Sequence, residues 1–420
     1  MRSKNNYSDD ALQFAPFTML PSVFPRNEFH QVVQMQTVFN ELIHKVAHNR
    51  QFLTDTLKNT IEADEFTRNL FKIYETVSNE GITQRYCLGL LRSDYFAHAL
   101  QNTVAIHQVE VNAIASSFAG ILIIHIFLLQ LPENNALTAL CQGMIDAWKL
   151  YGKKSNAVIL FIVEDVTYNI CDHRFHEFEI QELEPAAKVV RRNLTEMGKH
   201  ASLGKKKELL IDGMEVALVY YRSGYAPVQY PSQLEWDARL LIERSLAIKC
   251  PTIQYHLAGT KKVSTASSYE NTIKSIRKIF TGLYSLDLDA EGDAAVKMGI
   301  EEPEKFVLKP QREGGGNNVY GENIRKVLQD MQHSEERKAW ILMERIFPPV
   351  QKNVLVRPGE KEPMFADIVS ELGIFGVIIG DADHIQVNRQ AGHMLRSKLS
   401  NADEGGVAAG SGVLDSPLLV

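Results

Sequence analysis

Apolar residues recur at helical spacing through the first eighty positions. Val32, Val33, Met35, Val38, Phe39, Leu42, Ile43 and Val46 form one stripe. Leu53, Leu57 and Ile61 form a second, and Phe66, Leu70, Phe71, Ile73 and Tyr74 a third. Such stripes predict three helices between positions 29 and 80, each with one face in the core. Before them, residues 1–13 read as disordered, and the prolines at 16, 21 and 25 mark an extended entry. Residues 86–90 then predict a strand that delivers Arg92, Ser93, Asp94 and Tyr95 at its end. Residues 109–112 alternate apolar with polar and predict another strand. A helix at 141–151 leads into the continuous apolar run 157–163, the pattern of a central parallel strand buried on both faces. A helix over 174–183, a strand near 189–190, and strands 209–211 and 216–221 joined through Asp212-Gly213 complete a βαβ-like segment, whose last strand ends at Arg222. An amphipathic helix follows, carrying Leu234, Ala238, Leu241, Ile242 and Leu246. Farther on lie strands at 306–308 and 341–346 and a helix marked by Ile324, Val327, Leu328 and Met331. A hairpin formed by 368–379 and 385–387 closes the pattern. These elements predict an α/β (α+β) fold with a smaller parallel-sheet domain, 156–257, inserted into a larger one made of 1–155 and 258–420.

The chain has 420 residues and a net charge of −6, which argues against a general nucleic-acid partner. Cys87, Cys141, Cys171 and Cys250 are widely spread and form no CxxC pair, so a reduced, cytoplasmic setting is expected. The first ten residues hold no hydrophobic signal core; secretion is the alternative if a signal peptide was removed ahead of Met1. The apolar run 121–129 is shorter than the roughly 20 residues that span a bilayer. His125 interrupts it, and Gln130, Pro132 and Glu133 close it. It predicts a buried helix with a core histidine, and no membrane partner.

The candidate chemistry centres on 306–321. A short strand ends in Lys309, followed by Arg312, Glu313, the glycines Gly314, Gly315 and Gly316, and Asn317 and Asn318. Adjacent glycines let a backbone lie against a ligand and turn its N–H groups onto anionic oxygens. Lys309 adds a cation and Glu313 a hard oxygen ligand suited to Mg²⁺. There is no Gly-Lys-Ser/Thr of a Walker loop and no G-x-G-x-x-G. A flexible surface loop with a chance Lys and Glu explains these residues as well as a polyphosphate site does. Glu110 and Asn112, two apart on one strand face, suit Mg²⁺, but for such a pair alone a solvated strand face is the commoner setting.

The full string KPQREGGGNN at 309–318 resembles the glycine-rich loop of eukaryotic-type glutathione synthetases, which are ATP-grasp ligases. The resemblance runs from Ala15 to the C-terminus. It implies an ATP-grasp fold in which 156–257 binds substrate. It implies a ligase that uses MgATP to activate the cysteinyl carboxylate of γ-glutamylcysteine, or a related γ-glutamyl dipeptide, as an acyl phosphate that glycine attacks. On this resemblance Glu110, Asn112 and Glu313 hold Mg²⁺. Lys261, Lys309, Asn318, Tyr320, Met343, Glu344, Ile346, Glu371 and Lys398 hold ATP, with 314–317 over its phosphates. Arg92, Ser117, Asn169, His173, Arg222 and Tyr225 hold the dipeptide, and Arg396, Val407 and Ala408 enclose the glycine end. Lys309 and Arg396 carry the catalytic charge stabilisation, and a homodimer is implied.

The resemblance thins in the dipeptide pocket. Thr167 stands where the family has the acid that meets the dipeptide's ammonium, and His173 replaces a glutamine. Ala115 replaces a serine and Ser223 an acid, and the apolar run after Gly120 replaces a polar segment. In the tail, Glu404 stands for an aspartate. Loss of an acid that pairs with a buried ammonium weakens binding by about two to three orders of magnitude unless another group compensates. The alternative is therefore a divergent paralogue with altered donor specificity and little glutathione synthesis, acting as a nucleotide-binding interaction protein.

Overall fold

The computed structural model describes residues 13–101, 103–120, 131–152, 156–167, 169–265, 276–311, 316–407 and 410–420. The apolar run 121–129 lies outside the described residues.

The three N-terminal helices form as the stripes predict, at Arg26–Ala47, Arg50–Ala63 and Glu65–Glu80. Asn49 and Asp64 cap the second and third, accepting from the N–H groups of Phe52 and Thr67. The first helix packs on a seven-stranded sheet, while the second packs against the third, and the third against the helices Gln233–Glu243 and Ile253–Ala258. The strand order of the sheet is Gln351–Val356, Phe17–Thr18, Gly412–Asp415, Ile385–Leu399, Met364–Gly380, Cys87–Ala99 and Val104–Asn112.

Strands of this sheet outrun their sequence signals, among them Val104–Asn112, predicted only at 109–112. The strand predicted at 86–90 extends over Cys87–Ala99, so Arg92–Tyr95 lie in its middle rather than at its end. Both neighbours pair along it, and Arg92 and Asp94 satisfy each other there as a buried ion pair. The strand predicted at 385–387 continues to Leu399, because it pairs with Met364–Gly380 on one side and Gly412–Asp415 on the other.

The segment 156–257 carries a six-stranded sheet of its own. Val158–Ile162, fully buried, runs parallel to Val189–Arg192 and Met214–Tyr221, as its apolar run predicts. The sheet is mixed rather than wholly parallel. Ser202–Leu203 and Leu209–Ile211 join it antiparallel, since the short turn at Asp212-Gly213 permits no crossover. Met214–Tyr221 is not its last strand either: Ile248–Cys250 pairs parallel to it. The lysine in that short strand hid it. Lys249 is fully buried and satisfied by Gln84 Oε1 and the carbonyl of Ser245, both at 2.7 Å.

A four-stranded sheet of Leu283–Ser285, Trp340–Glu344, Phe306–Pro310 and Val319–Tyr320 is backed by the helices Ala290–Glu301 and Glu322–Met331. Leu286, Phe306, Leu308, Ile324, Leu328 and Leu342 fill its core. Among the described residues no helix is long and apolar enough to cross a membrane.

Candidate active site

A cleft of about 620 Å³ opens where these three sheets meet. Its floor comes from four adjacent strands of the large sheet. Register places Arg92 opposite Asn112, Asp94 opposite Glu110, Glu371 opposite Phe96, and Arg396 opposite Glu371. Charged residues two apart on each strand therefore gather on one face. Gly373 sits opposite Asp94 and makes room for it: a Cβ there would lie 2.9 Å from Arg92 Cδ and Asp94 Oδ1, and 2.8 Å from Met394 Cγ.

Asp94, which the sequence reading did not single out, knits the floor together. Its Oδ1 accepts from Arg92 Nε at 2.6 Å, and its Oδ2 from Arg92 Nη2 at 2.7 Å and Asn112 Nδ2 at 3.0 Å. Arg396 Nη2 lies 3.6 Å from the same oxygen and donates to Glu371 Oε1 at 2.7 Å. Burial pushes the Asp94 carboxyl up, and Arg92 only partly pulls it back. Burial alone would lower Arg396, but Glu371 and Asp94 outweigh it and raise its pKa. The signal for Asp94 was its place two residues beyond Arg92 on one strand face.

Glu110 shows the opposite balance. Burial favours its neutral form, but Lys261, Lys309, Arg396 and Arg92 prevail and hold its pKa down at about 2. Because the Asn112 amide nitrogen donates to Asp94 and to the carbonyl of Arg92, its oxygen is left to accept. An ionised carboxylate and an amide oxygen side by side fit a hard divalent cation. Glu313, Gly314 and Gly315 lie outside the described residues. No group of three His, Cys, Asp or Glu that could hold a metal occurs among the described residues.

The opposite wall brings Lys309, Asn318, Tyr320, Met343, Glu344 and Ile346 to the cleft, with Lys261 at the start of a short helix. Lys309 is buried and donates to the carbonyl of Val109 at 3.2 Å; burial lowers its pKa, against the pull of Glu110. Burial likewise lowers Lys398, which donates to the carbonyl of Asp403 at 2.6 Å. Gly316 and Asn317 are exposed and do not line the cleft. The N–H groups of Gly316 and Asn318 instead converge on the carboxylate of Glu404, so this backbone does receive an anion. Val407 lines the cleft beside Gly405 and Gly406, and Ala408 lies outside the described residues.

The third wall is the loop 113–120 and the ends of the smaller sheet. Ala115 and Phe118 hold positive φ of 52° and 78°, a strained backbone that presents Ser116 and Ser117. Asp172, fully buried, fixes it: Oδ1 accepts from Phe118 N at 2.9 Å, and Oδ2 from Arg222 Nη2 at 2.7 Å. Arg222 Nη2 also donates to Ser117 Oγ at 2.7 Å, to which Asn169 Nδ2 donates at 2.9 Å. Thr167, His173 and Tyr225 line the same end. Burial, then Arg222, lowers His173 to about 2, so its ring is neutral.

The sequence model described as the ATP-binding domain of eukaryotic glutathione synthase matches residues 1–419. The chain belongs to the eukaryotic glutathione synthase family. It is 41% identical to the glutathione synthetase of Xenopus laevis over 447 residues, covering 100% of this chain and 93% of that one. The glutathione synthetase of Homo sapiens is 41% identical over 441 residues, covering 99% and 92%. The chloroplastic glutathione synthetase of Solanum lycopersicum is 38% identical over 436 residues, covering 97% and 78%. A solved structure of a glutathione synthetase-like effector from Globodera pallida superposes with a TM-score of 0.78 at 24% identity, over 98% of this chain and 92% of that one, and shows the shared fold. With the family matched over residues 1–419, the chain is a glutathione synthetase-like, ATP-dependent ligase; the interaction-protein alternative is not favoured.

Proposed function

We propose that this ligase joins γ-glutamylcysteine, or a closely related γ-glutamyl dipeptide, to glycine, forming ADP and phosphate. The observation that carries the reading is one continuous cleft into which Lys261, Lys309, Lys398, Arg396, Glu110 and Asn112 converge beside Ser117, Asn169, Arg222 and Tyr225.

The triphosphate lies toward Lys261, Lys309, Asn318 and Lys398, with the base between Met343, Glu344 and Ile346. Lys309 and Lys398 lose stability as cations on burial, so an arriving polyanion restores what burial removed. Glu110 and Asn112, with Glu313, are the residues that would hold Mg²⁺, which would neutralise phosphate charge there. The dipeptide lies against Arg92, Ser117, Asn169, His173, Arg222 and Tyr225. Its cysteinyl carboxylate oxygen attacks the terminal phosphorus of ATP, the bond to the bridging oxygen breaks, and ADP leaves with that oxygen. Glycine's amine then adds to the acyl phosphate, and collapse expels phosphate and leaves the amide. Negative charge develops first on the transferring phosphoryl group and then on the carbonyl oxygen. Lys309 and Arg396 meet it. Arg396 needs no reorganisation, because Glu371 and Asp94 already fix its plane. Val407 and Ala408 close the glycine end. None of the four cysteines is needed. Residues 156–257 act as the substrate-binding domain, and the ligase works as a cytoplasmic homodimer.

The test is phosphate release from ATP with donor and glycine present. The expected outcome is release that requires both, and that falls about a hundredfold or more in Glu110→Ala. If neither γ-glutamylcysteine nor a related γ-glutamyl dipeptide raises release above the donor-free control, the proposal is wrong.

A further inference from the structure

Thr167 leaves the donor's ammonium without the acid expected at its position. The γ-glutamyl end is a zwitterion, with an α-carboxylate and an α-ammonium on one carbon. A pocket that desolvates it must match both charges. Arg222 supplies the cation. The acids of the same region are mostly committed elsewhere. Asp172 is fully buried, with both oxygens occupied by Phe118 N and Arg222. Asp165 faces Asn193, and Glu177 pairs with Arg174 and Arg191. His173 is neutral and brings no charge.

One carboxylate between positions 113 and 230 lines the cleft among the described residues: Glu164. It lies two residues past the end of the central strand Val158–Ile162 and three residues before Thr167. Its Oε1 accepts from Gln229 Nε2 at 2.6 Å. Gln229 is itself clamped, its Oε1 accepting from the backbone N–H groups of Gly224, Tyr225 and Ala226 at 2.7, 2.8 and 3.1 Å. The carboxylate is thus tied to the turn that presents Tyr225. Gln229 occupies one oxygen only, and a second is left for a ligand.

We propose that Glu164 is the substrate-binding residue that receives the α-ammonium of the γ-glutamyl donor. It takes over from position 167, so the ligase keeps its preference for an amino-bearing donor. The inference rests on the donor reading above. It places the acid at the strand end and the Tyr225 turn, and explains how Thr167 is accommodated.

The test is calorimetric titration of the full chain, with a non-hydrolysable ATP analogue and Mg²⁺ present, using two donors. One is γ-glutamylcysteine. The other is glutarylcysteine, which has a hydrogen where the ammonium stands. Wild-type protein is expected to bind γ-glutamylcysteine about ten- to a hundredfold more tightly than glutarylcysteine, the worth of one charge-assisted hydrogen bond. In Glu164→Gln that preference collapses: γ-glutamylcysteine weakens by the same factor, while glutarylcysteine and the nucleotide analogue change less than about twofold. In turnover, KM for γ-glutamylcysteine rises and kcat holds. Glu164→Asp restores part of the preference. Unchanged γ-glutamylcysteine affinity in Glu164→Gln overturns the assignment and leaves the donor reading standing. Equal weakening of both donors also overturns it, since Glu164 then only props the Gly224–Ala226 turn through Gln229. Wild-type protein that binds the analogue but neither donor overturns the donor reading, and this inference with it.

Discussion

Asp94 accepts from Arg92 through both oxygens, offsets the charge of Arg396 at 3.6 Å, and turns the Asn112 amide so that its oxygen is left to accept. Removing one partner of a buried ion pair costs about 3–5 kcal/mol. Asp94→Asn keeps the shape and loses the charge, so a loss near 3 kcal/mol in denaturant-induced unfolding is expected, together with a fall in turnover. A variant as stable and active as the wild type would show that the arginines do not need it. Glu110 makes a prediction in pH. Its folded pKa, about 2, lies below its ordinary 4.5, so the stability it contributes is present above 4.5 and is lost as pH falls toward 2. Glu110→Gln is expected to flatten unfolding stability over that window. A slope equal to the wild type's would contradict the cation cage around it. The sequence marked Glu110, Asn112, Arg92 and Arg396 by resemblance, but not what joins them. Asp94 escaped because only the sheet brings Asn112 and Arg396 to it, and Asp172 and Glu164 because Arg222 and Gln229 meet them through loop closure or a distant turn rather than through a motif.

At the scale of elements, the N-terminal helices were legible because each has a polar face and an apolar one. The central strand Val158–Ile162 was legible because both faces are covered. Strand ends were not. Cys87–Ala99 carries Arg92, Asp94 and His98 through territory that a single strand would leave wet, and only its two neighbours make that length possible. Ile248–Cys250 hid in the same way behind Lys249. The pairing of Met364–Gly380 with Cys87–Ala99 depends on the bare backbone at Gly373. Gly373→Val would drive a branched side chain into Arg92, Asp94 and Met394. Overpacking of this kind costs about 1–3 kcal/mol. We expect a lowered thermal midpoint and a larger loss in turnover than in nucleotide affinity, because the displaced pair faces the donor side. Nucleotide affinity falling as far as turnover would contradict that placement.

At the scale of the whole molecule, burial lowers the pKa of seven histidines among the described residues, His44, His48, His98, His173, His176, His256 and His393. His44 and His393 are lowered to about 4, His256 to about 3 and His173 to about 2. Below the ordinary value of 6.5 the unfolded chain takes up protons that the folded chain refuses, so stability falls as pH drops from 6.5 toward 4. Each fully responding histidine steepens that fall by about 1.4 kcal/mol per pH unit. Denaturant titrations at pH 7, 6 and 5 should show the decline, and a flat profile would mean that these rings are solvated. The seven- and six-stranded sheets share a core, since one apolar cluster runs from Phe29 in the first helix through Leu160 in the smaller sheet to Leu372 in the larger, while the four-stranded sheet keeps its own around Phe306 and Leu328. The cleft at their junction is therefore held by most of the chain. The most direct test of what it does follows one oxygen atom. γ-Glutamylcysteine carrying heavy oxygen in its cysteinyl carboxylate is incubated with ATP, Mg²⁺, glycine and the protein, and the released phosphate is weighed by mass spectrometry. Passage through an acyl phosphate predicts one heavy oxygen in each phosphate formed from fully labelled donor, matched by one molecule of glutathione. Phosphate that leaves unlabelled would contradict the account.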